Sequence, residues 1–131
     1  MASARDVARF ATAMFFTSAG AMHFLSPAPY LKIVPPFVPA PLAMVYISGA
    51  AEIAGGVGLL VTAARRMAGR GLAALLLAVF PANIYMAAQH VQLTANPLPS
   101  WLLWGRLALQ PLMIWWVLWC SRATAIAPPA V

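Results

Sequence analysis

Apolar residues run along this chain in four long stretches, at about 6–26, 42–62, 71–91 and 101–120, separated by clusters of proline, glycine and basic residues. A hydrocarbon layer about 30 Å thick is crossed by roughly 20 apolar residues in helix. The pattern therefore predicts an all-α membrane protein, a four-transmembrane-helix bundle. Between the first two stretches lies "SPAPYLKIVPPFVPAP". Proline fixes φ, removes a donor and restricts the residue before it, so no long helix passes through. Tyr30, Leu31, Ile33, Val34, Phe37 and Val38 nevertheless keep this segment greasy. It is expected to be a stiff, partly embedded cap with a short helical turn, packed on protein because bare backbone is not tolerated in lipid.

The stretch "TAARRMAGRG" is expected to be a short basic loop between antiparallel neighbours. Pro81, in "VFPANIYM", deprives the carbonyl of Leu77 of its usual donor and predicts a kink. Trp101 and Trp104 open the fourth stretch, and Trp115, Trp116 and Trp119 close it, as two aromatic belts would. On this reading residues 1–122 form one domain, and 123–131, with "AIAPPAV", form a disordered tail.

Composition agrees. The chain is 63% hydrophobic and 8% charged, too few charges for the surface of a soluble domain of 131 residues. A net charge of +6 raises the question of nucleic acid, but along the sequence the basic residues sort by topology and form no patch. Arg5, Arg9, Arg65, Arg66, Arg70 and Arg122 fall on one side of four spans, and Lys32 and Arg106 on the other. Cationic loops stay in the cytoplasm, which places both termini inside. Arg5 and Arg9 followed by Ala19-Gly20-Ala21 resemble a secretory signal, yet the apolar run continues past that site, so an uncleaved span is expected. The single cysteine, Cys120, leaves no disulfide framework and no dithiol redox pair.

Chemistry narrows to a few polar residues within the apolar runs. Glu52 would lie about 15 Å from either surface at 1.5 Å per residue. A charge at that depth costs at least ~3 kcal/mol, so it is expected to face protein and to be paired or neutral. Its neighbours Ser48, Gly49, Gly55 and Gly56 are all small and predict a close helix-packing face. The expected partner is Arg106, as an ion pair, with Asn83 and Gln110 completing its hydrogen bonds and His23 approaching from above. The pair reads either as a clamp that fixes helix register or as part of a polar pocket. His23 and Asn83 also read as groups that satisfy backbone carbonyls, and His90 as an interfacial residue. Two histidines without a nearby thiol are too few for a metal site.

The segments "MHFLSPAPYLKIVPPFVPAPLAMVYISGAAEIAGGVGLL", "AVFPANIYMA" and "WLLWGRLALQ" resemble the DoxX-like family of small four-helix bacterial membrane proteins. The likeness rests on His23-Phe24, Pro35-Pro36, Ser48-Gly49, Glu52, Phe80-Pro81-Ala82-Asn83, Arg106-Leu107 and Gln110, with Ala108 standing where the family pattern has proline. The resemblance implies a multi-pass protein of the bacterial plasma membrane with redox-associated partners. Relatives are linked with thiosulfate–quinone oxidoreductase, methylamine utilisation and oxidative-stress complexes. It delivers no reaction. The functions expected are a non-catalytic subunit or binding module with no intrinsic cofactor and a pocket for a quinone or bound lipid, a quinone-linked oxidoreductase component, or a small dimeric transporter or assembly factor. The partners expected are the lipid bilayer, redox enzyme subunits and a second copy of the chain, with no nucleic acid.

Overall fold

The computed structural model describes residues 2–93 and 95–123, and the expected disordered tail lies, apart from Ala123, outside the described residues. The described chain is helical without strands: α1 (Ala4–Leu25), α2 (Ala28–Leu31), α3 (Pro41–Leu60), α4 (Arg65–Ala88) and α5 (Ser100–Cys120). α1 opens on a capping box, in which the Ser3 hydroxyl accepts from the Asp6 amide and the Asp6 carboxylate accepts from the Ser3 amide. α3 begins at Pro41, a residue suited to the first helical turn, after Ala40 at a φ of 47° turns the chain out of the cap. His90, at a φ of 50°, ends α4 in the left-handed conformation that stops helices.

α3, α4 and α5 are each long and apolar enough to cross a membrane. Three such helices suggest a helical membrane protein. α1 has comparable length, but Arg5, Asp6 and Arg9 fill its start, and Thr12, Thr17, Ser18 and His23 dilute the rest. One expectation changes. Most of "TAARRMAGRG" is helical, because Arg, Met and Ala are strong helix formers that outweigh two glycines, and the turn is confined to residues 61–64. Pro81 lies inside α4 and Pro111 inside α5.

α1 packs on α3, α3 on α4 and α4 on α5, while α1 meets α5 more lightly and closes the ring. α3 and α5 thus lie across the diagonal. One core cluster, Ala13, Phe16, Leu59, Leu72 and Val117, fills the end that holds both described chain ends and the α3–α4 turn. A second, Met86, Ala87 and Leu103, fills the other end under the cap. Many large side chains face outward, among them Val7, Phe10, Leu77, Ile84 and Leu112, as they would with lipid for solvent. Trp101 and Trp104 sit exposed at one end of α5, and Trp115 and Trp116 at the other.

The small-residue face expected on α3 serves two neighbours. A Cβ on Gly49 would lie 2.6 Å from His23 Cβ, and one on Gly56 would lie 2.5 Å from Thr17 Oγ1, both on α1. Gly55 instead receives Leu72 of α4. By contrast, Gly71, on α4, has open space around its Cβ position. Gly56→Ala is therefore expected to destabilise the detergent-solubilised protein by about 1–3 kcal/mol through overpacking. Gly71→Ala is expected to stabilise it by roughly 0.5–1 kcal/mol through helix propensity. Reversible unfolding in a denaturing detergent measures both.

Candidate functional site

Between the two cores lies a cavity of about 790 Å³. Its walls are largely apolar, with Phe16, Tyr30, Val34, Leu75, Val79 and Met113 contributed by α1, the cap, α4 and α5. All five polar residues singled out in the sequence, His23, Glu52, Asn83, Arg106 and Gln110, line it. The cavity is open to the surface, since Phe15, Ile47 and Leu109 line it and are each more than half exposed.

The pairing among these residues differs from the one expected. Among the described residues no ion pair joins Glu52 to Arg106. Glu52 Oε2 lies 3.5 Å from His23 Nε2. Arg106 sits on α5, across the diagonal, and donates from Nη1 to the Met86 sulfur at 3.4 Å. The reason is helix order. Where Gly20 and Gly49 meet, α1 lies close enough to α3 to bring His23 beside Glu52, while α3 and α5 face each other over open space. Nor do Asn83 and Gln110 complete an ion pair. Asn83 Nδ2 donates to Gln110 Oε1 at 2.7 Å, and Gln110 Nε2 donates to the Leu76 carbonyl. These two amides form their own strut between α4 and α5.

The His23 ring is held in one orientation. Its Nδ1 lies 2.9 Å from the Val45 carbonyl, which only accepts, so Nδ1 carries a hydrogen. The Ser48 hydroxyl donates to the same carbonyl at 2.9 Å and lies 3.0 Å from Nδ1. Tyr30 of the cap covers the ring, with centroids 3.9 Å apart. With Nδ1 committed to backbone, Nε2 is left facing Glu52. Two lone pairs opposed at that separation would repel, so the arrangement calls for a proton on one of the two groups. Oε2 of Glu52 is buried and accepts no hydrogen bond among the described residues. One side of the cavity is thus an imidazole–carboxyl pair able to hold a proton, and the other a guanidinium and two amides.

Sequence reasoning did not assign a role here to Tyr30 or to the Ser48 hydroxyl. Tyr30 lies in the greasy cap that the sequence placed over this end, and Ser48 stands four residues before Glu52 on the same helix face, so both carried a signal. Arg9 carried none. It is buried, bridging Asp6 at 2.7 Å and the Cys120 and Arg122 carbonyls at 2.8 and 3.0 Å, and so ties α1 to the end of α5. His90 lies at the end of α4, 3.4 Å from the Ser100 hydroxyl and outside the cavity. No cluster of potential metal ligands occurs among the described residues.

A family model described as Domain of unknown function (DUF8561) matches residues 12–121, which hold the whole cavity. The chain belongs to that family. No curated protein and no solved structure matches it significantly.

The geometry predicts which pair is energetically coupled. In double-mutant cycles, His23→Ala with Glu52→Gln is expected to show a coupling of about 0.5–3 kcal/mol in unfolding free energy. Glu52→Gln with Arg106→Gln should be additive within about 0.5 kcal/mol. Gln110→Leu should destabilise by about 1–3 kcal/mol, because it strands an Asn83 donor.

Proposed function

We propose that this chain spans the bacterial plasma membrane four times with both termini in the cytoplasm. On this reading its cavity binds a quinone or a similar lipophilic molecule with a polar head, as a non-catalytic subunit or binding module of a redox-associated membrane complex. The observation that carries the reading is the split polarity of the cavity. Ligand pockets commonly join apolar walls to a few placed polar groups in a volume of roughly 300–1,000 Å³. A quinone ring presents two carbonyl oxygens on opposite edges, and the separation of the Glu52–His23 side from the Arg106–Asn83–Gln110 side suits that pattern. The surface opening suits a ligand that arrives from the bilayer. The resemblance to the DoxX-like family supports the redox setting and the four spans. The gathering of Arg5, Arg66, Arg70 and Arg122 at one end supports the orientation, since cationic ends remain inside.

The proton that the His23–Glu52 pair calls for favours one second reading, a quinone-linked oxidoreductase component. Reducing a quinone to a quinol takes two electrons and two protons. A partner subunit would supply the electrons, and the pair would relay protons to the carbonyl beside it.

Binding of a ubiquinone or menaquinone analogue to the purified protein in nanodiscs tests the proposal. Glu52→Gln is expected to weaken it about tenfold, or ~1.4 kcal/mol. Ala78 lines the cavity and is exposed to it, so Ala78→Trp should abolish binding while the helical content stays unchanged. Native affinity in both variants would refute the assignment.

A further inference from the structure

At the opposite end from the cap, the structure gathers basic residues that are scattered in the sequence. Arg5 of α1, Arg66 and Arg70 of α4, and Arg122 after α5 line a second cavity of about 630 Å³, with Leu118, Ser121 and Ala123. The patch absent from the linear sequence is thus formed by folding. Its cause is the early start of α4, which places Arg66 and Arg70 four residues apart on one helix face. Close packing does the rest, because Gly69 lets Ser121 approach so closely that a Cβ on the glycine would lie 2.3 Å from it.

No carboxylate of the described chain balances these four cations. The protein has two acidic residues. Asp6 is taken by Ser3 and Arg9, and Glu52 lies in the other cavity. Arg5 is held in place by the Ala123 carbonyl at 3.1 Å and lies over the Trp119 ring, 5.2 Å from its centroid. Its Nε is buried and has no acceptor among the described residues. The N-terminus of α4 adds to the positive field, with no acidic residue in its first turn and no side-chain cap.

Like charges held this close repel, and guanidinium groups bind phosphate oxygens through paired, charge-assisted hydrogen bonds. We propose that this cavity is a binding site for a phosphate ester, either the headgroup of an anionic phospholipid or a soluble phosphate. The position suits both sources. The cavity sits where the bundle ends, at the Trp119 ring beneath Arg5, so a lipid headgroup reaches it from the membrane and a soluble ion from the aqueous phase. The site shares no residue with the quinone cavity and stands whether or not that assignment holds.

Native mass spectrometry of the detergent-purified full chain separates the sources. One arm adds phosphatidylglycerol, with phosphatidylcholine as the comparison, and the other adds inorganic phosphate or glycerol phosphate without lipid. Selective retention of phosphatidylglycerol alone supports a lipid headgroup, and retention of the soluble phosphates supports a free ligand. Arg66→Gln combined with Arg70→Gln should weaken whichever is retained at least tenfold. Arg65→Gln removes a charge from the same turn, from a residue that bonds Thr62 and does not line the cavity, and should change retention less than twofold. Circular dichroism checks that the variants keep their helices. Equal retention of both lipids with no phosphate binding, or equal losses in Arg65→Gln and the double variant, would overturn the site.

Discussion

A carboxyl group in the middle of an apolar helix bundle has to be met by another polar group, and the glycine contact between α1 and α3 decides which group that is. Gly20 and Gly49 let the two backbones approach so closely that a side chain on either would collide with the other helix. His23, one turn beyond Gly20 on α1, is thereby brought beside Glu52, and the Val45 carbonyl fixes the ring so that Nε2 faces the acid. Tyr30 closes over the ring from the cap. Enlarging either glycine would separate the helices and with them the pair, so packing and site chemistry depend on the same contact.

That contact also explains why the bundle is not filled. Glu52 faces His23 on α1, and Arg106 remains on the far side of an open cavity. The Asn83–Gln110 strut holds α4 against α5 there, and the two apolar clusters close the ends. The molecule has two polar regions of different kinds. One is a nearly balanced set of groups inside the bundle, and the other an unbalanced set of arginines at its end. The first suits a neutral molecule with a polar head, and the second an anion.

Much of this was legible in the sequence. The four helical stretches were placed within a few residues, apart from the start of α4, where arginine and alanine continue the helix into what read as a loop. The position of each polar residue along its helix was readable from the sequence, and all five do share one cavity. Depth gives height in the bundle but not bearing around it. Whether Glu52 meets Arg106 or His23 depends on which helices are neighbours, and that order is set by glycine contacts between helices, which composition does not display. The same gap concealed the convergence of Arg5, Arg66, Arg70 and Arg122, which lie on three elements far apart in the chain. Ser48 was expected as a small packing residue, and its hydroxyl emerged as part of the His23 site only once α1 lay beside it.

The most direct test is a solid-state NMR distance measurement in bilayers between the carboxyl carbon of Glu52 and labelled side-chain nitrogens. The account predicts strong dephasing from the His23 ring, as its 3.5 Å nitrogen–oxygen separation requires, and none from the Arg106 guanidinium. Dephasing from Arg106 with none from His23 would contradict it.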